Sequence, residues 1–369
     1  MLPDYQDPLY YRLALTFIKD IGPCRARVLL SHFGNVEAIF KANVKELKFA
    51  DGLGETLARR IKEQTNDAFA AAEKELNFMQ KHNVQALWIE DEQYPQRLKS
   101  CQDAPMLLFY KGNANLNETK MVAVVGTRKY TDYGDRLCND LIEGLKGEDG
   151  MIIVSGLAHG IDTVAHKYAL KHDLPTVGVL GHGLDRIYPS SNKNLAKDME
   201  QHGGILAEFP SGTLPDKTNF PMRNRIVAGM SDVTIVVESD ITGGALITAR
   251  IAASYNRDVA AFPGRVHDTK SSGCNELIRT NIAAMITGAN DLRELMGWQK
   301  KSAVQRQLFL NLSPDEQKVI DVLKTKDSVH ADELLHLTEM TSSQLASTLL
   351  MLEMQELVKA LPGKYYRIN

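Results

Sequence analysis

The stretch MVAVVGTRKYTDYGDRLCNDLIEGLKGEDGMIIVSGLAHGIDTVAHK runs from Met121 to Lys167 and sets two short, wholly apolar runs among longer amphipathic ones. Val122–Val125 and Met151–Val154 read as strands, while Tyr133–Leu145 and Asp162–Leu170 read as helices. Strands without polar alternation belong in a parallel sheet whose two faces are both covered by helices. The same rhythm continues to about Leu295, with strands expected at Thr176–Leu180, Ile205–Ala207, Val233–Val237 and Val259–Phe262. Further helices are expected at Asn224–Met230 and Leu246–Tyr255. The pattern defines an α/β chain: a Rossmann-like, doubly wound, mostly parallel sheet with right-handed crossovers.

Outward from this core the pattern changes in both directions. Residues 1–82 carry apolar positions at helical spacing, interrupted by the turns Ile21-Gly22-Pro23 and Asp51-Gly52-Leu53-Gly54. They resemble paired helix-hairpin-helix units of the SAM-like kind, whose turns can offer backbone N–H groups to phosphate. A plain helical bundle with capping glycines is the other reading, and Arg25, Arg27, Arg59 and Arg60 favour it, being interspersed with Asp20, Asp51 and Glu55. Residues 83–298 form the Rossmann-like domain, in which Leu87-Trp88-Ile89 and Leu107–Tyr110 extend an edge of the sheet. A polar, basic linker is expected at 299–307, followed by a winged-helix-like domain at 308–369. Its helices fall at Ser313–Leu323, Ala331–Leu337 and Thr341–Met354, ahead of a terminal hairpin.

Composition narrows the classes further. With 369 residues, 44% hydrophobic and 24% charged, the sequence is that of a folded multidomain chain, not a disordered one. No apolar run reaches the roughly 20 residues of a membrane span, and the polar start MLPDYQDPLY has no signal-peptide core. Cys24, Cys101, Cys138 and Cys274 form no CxxC pair, which fits a reducing cytoplasm. A net charge of -3 excludes a histone-like field, so any contact with nucleic acid must be local.

The chemistry collects at strand carboxyl ends, where open parallel sheets bind ligands. After the first strand come Gly126, Thr127, Arg128 and Lys129; after the second, Ser155, Gly156, His159 and Gly160, with Asp162 placed to cap the next helix. Gly181 and Gly183 follow the third strand, and Gly243 and Gly244 open a helix after the fifth. These loops converge at one crest, as phosphate-contacting amides. GxGxxG is missing after the first strand and GxxxxGK[ST] throughout, so neither a dinucleotide cofactor nor a P-loop engine is expected. The segment KTNFPMRNR adds Lys217, Arg223, Asn224 and Arg225 at an expected loop–helix junction. There the arginines either fork toward two phosphates or pair with Glu208 or Asp232; Arg128 and the converging loops favour the phosphates.

The strings VVGTR, SGLAHGIDTVAH, GVLGHGLDRIYPSSN, EFPSGTLPDKTNFPMRNRIVAG and GCNELI resemble the bacterial DNA-processing protein A (DprA, or Smf) family, covering most of residues 105–290. The resemblance implies a cytoplasmic, single-stranded-DNA-binding protein, usually a homodimer through its Rossmann-like domain. It further implies handing incoming strands to the RecA recombinase in natural transformation. It places Arg128 on the strand's path, with Phe220 to Arg225 bordering the same pocket and Lys217 just upstream. Gly244, where a Ser is frequent, and Asn281-Ile282-Ala283, where Gly-Ala often stands, depart from the pattern. Tyr130, Tyr133, Tyr188 and Phe220 are able to stack on bases, although packing is expected for Phe220 and the two tyrosines of YTDYG.

Catalysis is not expected. Ser155, His159, Asp162 and His166 lie close in sequence, but no GxSxG elbow is present, and neither HExxH nor Cys/His metal spacing occurs. Asp185, Glu208 and Glu238 are expected to pair with arginines. Two rival classes remain: a phosphoribohydrolase-like enzyme, whose PGGxGTxxE signature has no clean match, and a winged-helix transcription regulator. Against the latter, residues 308–369 hold six Lys and Arg to nine Asp and Glu. The recognition-helix candidate TSSQLASTLLMLEMQE has no cation, so a protein-contact or regulatory role is expected for that domain.

Overall fold

The fold, described from a computed structural model, covers residues 7–298, 312–324, 326, 328–355 and 357–368. The expected linker at 299–307 lies outside these residues. The chain divides into two compact units, one reaching Trp298 and one following it.

The first unit opens with helices α1 (Pro8–Phe17), α2 (Pro23–Phe33), α3 (Val36–Lys41), α4 (Val44–Leu47) and the long α5 (Gly54–His82). Gly22 and Asn43 occupy N-cap positions, and Asn43 closes a capping box with Glu46. The arginines here are largely engaged: Arg59 pairs with Glu55 at 2.5 Å, Arg60 with Asp20, and Arg27 donates to the Cys101 carbonyl at 3.1 Å. Apolar side chains of these helices, such as Leu13, Phe40 and Phe69, share one continuous core with Leu107, Val177 and Val227 of the α/β part.

That part runs β1 (Gln85–Trp88), α6 (Gln96–Lys99), β2 (Leu107–Gly112), β3 (Lys120–Val125), α7 (Asp132–Gly144), β4 (Met151–Ser155) and α8 (Ile161–Lys171). It continues with β5 (Thr176–Leu180), α9 (Lys193–Gln201), β6 (Gly203–Ala207), α10 (Asn219–Gly229), β7 (Val233–Val236) and α11 (Gly244–Ser254). β8 (Asp258–Ala261), α12 (Ser272–Arg279), β9 (Ala284–Met285) and α13 (Ala289–Leu295) complete it. The nine strands are ordered β1-β2-β6-β5-β4-β3-β7-β8-β9. From β6 to β9 every pairing is parallel, whereas β1 and β2 add an antiparallel edge. Strands β4, β5 and β6 are buried at every position, as helices on both faces require. The chain winds outward from β3 in both directions, so the switch point lies between β3 and β7.

The second unit holds α14 (Pro314–Leu323), β10 (Val329–His330), α15 (Ala331–Thr338), α16 (Ser342–Met354), β11 (Val358–Leu361) and β12 (Tyr365–Ile368). Ser313 with Glu316 and Thr341 with Gln344 form capping boxes on α14 and α16. Three strands in the order β10-β12-β11 make the wing, over a core that includes Val319, Leu334 and Leu352.

Candidate nucleic-acid interface

At the switch point the carboxyl ends of β3 and β7 are tied together: Thr127 N–H donates to the Glu238 carbonyl at 2.8 Å. Between them opens a cleft of about 450 Å³. It brings together Gly126, Thr127, Arg128, Gly156, Lys217 and Arg223, and also Asn224, Gly243 and Gly244. Gly243 is the N-cap of α11, so the unpaired amides of that helix's first turn border the cleft.

The β4–α8 loop is braced from below. His166, buried in α8, donates from Nε2 to the Gly156 carbonyl at 2.5 Å and meets Thr176 Oγ1 at 2.6 Å. Burial pushes its pKa down to about 4, so the ring is neutral at pH 7. Gly160, at φ +87, lets Ile161 N–H reach the Thr127 carbonyl at 3.1 Å. Gly160 rather than Asp162 stands at the N-cap of α8. Asp162 sits one position inside the helix, buried, accepting from Ala158 N–H at 3.4 Å and facing Arg223. Burial raises its pKa, and the Arg223 charge opposes that rise. A Cβ on Gly156 would lie 2.2 Å from Arg223 Nη1 and 2.3 Å from Asp162 Oδ2, so glycine is what lets these two groups approach.

Helix α10 begins at Asn219, earlier than the Asn224 start read from the sequence, so Arg223 and Arg225 lie inside it and not at a loop–helix junction. Two residues on, side chains diverge by about 200° at 3.6 residues per turn. Arg223 therefore faces the cleft, where its Nη1 donates to the Val179 carbonyl and its Nε is buried without a partner. Arg225 turns away: it forks onto both Glu208 oxygens at 2.5 Å and donates to the Asp103 carbonyl. Its charge is neutralised there, so the phosphate fork is corrected to one arginine in the cleft and one in a structural pair. Asp232, the other acid considered, holds Arg97 at 2.6 Å.

Other expected contacts fall around the cleft. Arg128 is exposed, and its guanidinium stands 5.8 Å from the centre of the Phe220 ring, which in turn lies 6.1 Å from Tyr188. His159 and Gly181 line a small adjoining hollow, while Lys129 and Gly160 face a groove along α8. The Ser155 hydroxyl is buried, donating to the Val124 carbonyl at 2.6 Å beneath the Asp162 carboxyl, so it is not itself exposed on the crest. Tyr130 and Tyr133 are 44% and 39% exposed, against the packing expected of them. Of the three acids expected to pair with arginine, Asp185 holds Arg186 and Glu208 holds Arg225. Glu238 instead accepts from Thr131, from its N–H at 2.9 Å and its hydroxyl at 2.5 Å. Sequence reading missed Asp162 and Asp240 as cleft-lining groups; the signal for Asp162 was its place just inside a helix start. Among the described residues no group of three or more His, Cys, Asp or Glu gathers as a metal site, and no helix is long and apolar enough to cross a membrane.

A doubly wound sheet with a cationic, amide-lined crest, carrying a helical segment before it and a winged helix after it, defines a class of nucleic-acid-handling architecture. Residues 85–297 match the DNA recombination-mediator protein A family, residues 306–364 the DprA winged helix domain, and residues 13–67 the SAM-like helix-hairpin-helix tandem. The chain belongs to the DNA recombination-mediator protein A family. It is 37% identical to Protein Smf of Synechocystis sp. over 294 residues, 78% of this chain and 72% of that protein. The crystal structure of DNA processing protein A from Streptococcus pneumoniae superposes with a TM-score of 0.66 at 34% identity, covering 77% of this chain and 95% of that one. DNA processing protein A from Helicobacter pylori, whose structure concerns its single-stranded DNA binding mode, matches with a TM-score of 0.52 at 30% identity, over 58% of this chain and 96% of that one.

Proposed function

We propose that this chain binds single-stranded DNA through the switch-point cleft and serves as a recombination mediator, passing incoming strands to the RecA recombinase in natural transformation. It acts in the cytoplasm as a binding protein and not an enzyme, as a homodimer through its Rossmann-like domain. Arg128, Lys217, Arg223 and Asn224 contact phosphates together with the amides of the surrounding glycine loops. The winged helix serves protein contact or regulation. Family membership and the DNA-binding relative from Helicobacter pylori support this reading.

The observation that carries it is Arg223: a buried guanidinium lining an open cleft with one donor unmet. The guanidinium forms part of the cleft wall, where its charge attracts a phosphate oxygen entering the cleft. Arg128 and Lys217, both exposed in the same cleft, supply the diffuse attraction. Such a site grips backbone without reading bases, so affinity is sequence-tolerant and salt-sensitive.

The test is a salt titration of oligonucleotide binding by the double variant Arg128→Ala/Lys217→Ala. Removing two phosphate contacts is expected to flatten the slope of log K against log salt by about 1.4, at about 0.7 per contact on single strands. Affinity falls for every sequence alike. Unchanged affinity and slope overturn the assignment.

A further inference from the structure

We propose that a second stretch of the same single strand lies in the groove along α8, held by Lys129, Lys167 and Lys171. The inference rests on the proposed DNA-binding reading of the crest and extends the path beyond the cleft.

The groove is large, about 1450 Å³, and open to solvent along the helix. It is continuous with the crest, because Arg128 lines both the groove and the switch-point cleft. Gly160 fixes that junction: its Cα packs so closely on the Thr127–Arg128 backbone that an added Cβ would lie 2.5 Å from Arg128 Cα. From there α8 carries the path onward, and the ten or so residues to Lys171 span roughly 15 Å at 1.5 Å per residue.

Charge and ring placement favour a polyanion with flat bases. Lys129, Lys167 and Lys171 are exposed, and among the described residues none of the three is held in an ion pair. Their ammonium groups are thus free to displace counterions from a phosphate backbone. Two carboxylates also line the groove, Asp198 and Asp135, the latter accepting from the Tyr168 hydroxyl at 2.8 Å; Arg128 and the three lysines outnumber them. Lys171 sits 5.4 Å over the Tyr168 ring, and Tyr130, 44% exposed, stands at the crest end. An exposed aromatic at the crest end followed by cations along α8 is an arrangement that tracks a single strand without reading it. A duplex, by contrast, presents no free base faces to Tyr130.

Oligonucleotide length separates the groove from the cleft. The full chain is titrated with oligothymidylates of roughly 5 and roughly 16 nucleotides, the range over which single-strand sites vary. Lys167→Gln/Lys171→Gln keeps a helix-compatible residue at each position and breaks no ion pair. The expected result is about tenfold weaker binding of the longer strand, with a salt slope flatter by about 1.4, and unchanged binding of the shorter one. Unchanged binding of the longer strand overturns the groove, as does an equal loss on both lengths. Arg128→Ala/Lys217→Ala is run in parallel: if it weakens both lengths while the lysine variant changes neither, the cleft stands and the groove alone fails. If it changes neither length, the reading of the cleft fails.

Discussion

Replacing Gly160 by alanine tests whether the clasp between the β4–α8 and β3–α7 loops is what presents Arg128. The residue sits at φ +87 and ψ -138, a region that side chains with a Cβ rarely enter. A Cβ there would lie 2.2 Å from the Thr127 carbonyl oxygen and 2.5 Å from Arg128 Cα. Both obstacles are backbone, so neither can rotate aside. The dihedral strain costs about 1–3 kcal/mol and forced overpacking about as much again, giving an expected destabilisation of about 4 kcal/mol. Two other glycines separate the contributions. Gly212 has φ +82 with open space around its would-be Cβ, so Gly212→Ala carries the dihedral cost alone, about 1–2 kcal/mol. Gly244 has neither constraint, and Gly244→Ala is expected to be neutral or stabilising by about 0.5 kcal/mol. Urea unfolding gives all three values from one assay. The Gly160 variant can relieve its clash by moving residues 127–128 outward, so single-stranded DNA affinity should fall by about tenfold, about 1.4 kcal/mol, under conditions where the protein is folded. A Gly160→Ala protein no less stable than Gly212→Ala would refute the clasp.

Arg225→Met separates a structural arginine from a binding one: leaving Glu208 unpaired and largely buried should cost about 3 kcal/mol in urea unfolding. The salt slope of DNA binding should stay where it was, and a flatter slope would put Arg225 back in the interface. His166 predicts a pH dependence whose sign follows from its depressed pKa. The unfolded chain takes up the proton near pH 6.5, the folded one only near 4, so stability is full above about 6.5 and declines as pH falls toward 4. The interval corresponds to about 3 kcal/mol, and His166→Gln should remove that part of the decline between pH 7 and 4.5.

Most of the sheet was legible because burial on both faces writes strands as unbroken apolar runs, as at Val122–Val125 and Thr176–Leu180. The two-residue strands β9 and β10 were not, since two residues carry no period. Convergence of the glycine loops was equally legible, because a doubly wound sheet sends all its strand ends to one crest. Within that crest, what the sequence left open turns on Pro221. A helix that starts only at Asn224, past this proline, puts Arg223 and Arg225 on a loop–helix junction where both can reach phosphate. In the structure Pro221 is the third residue of α10, where its missing N–H costs nothing because the first four amides of a helix have no partner anyway. Once the helix starts at Asn219, the spacing of the two arginines settles the rest. Side chains two apart on a helix face opposite ways, so one arginine must enter the cleft and the other must find an acid elsewhere. Glu208, just after β6, is that acid, while the Val179 carbonyl of β5 anchors Arg223. The same helix start leaves Asn224 on the cleft beside Arg223, so the binding face of α10 is narrower than the string of cations implies.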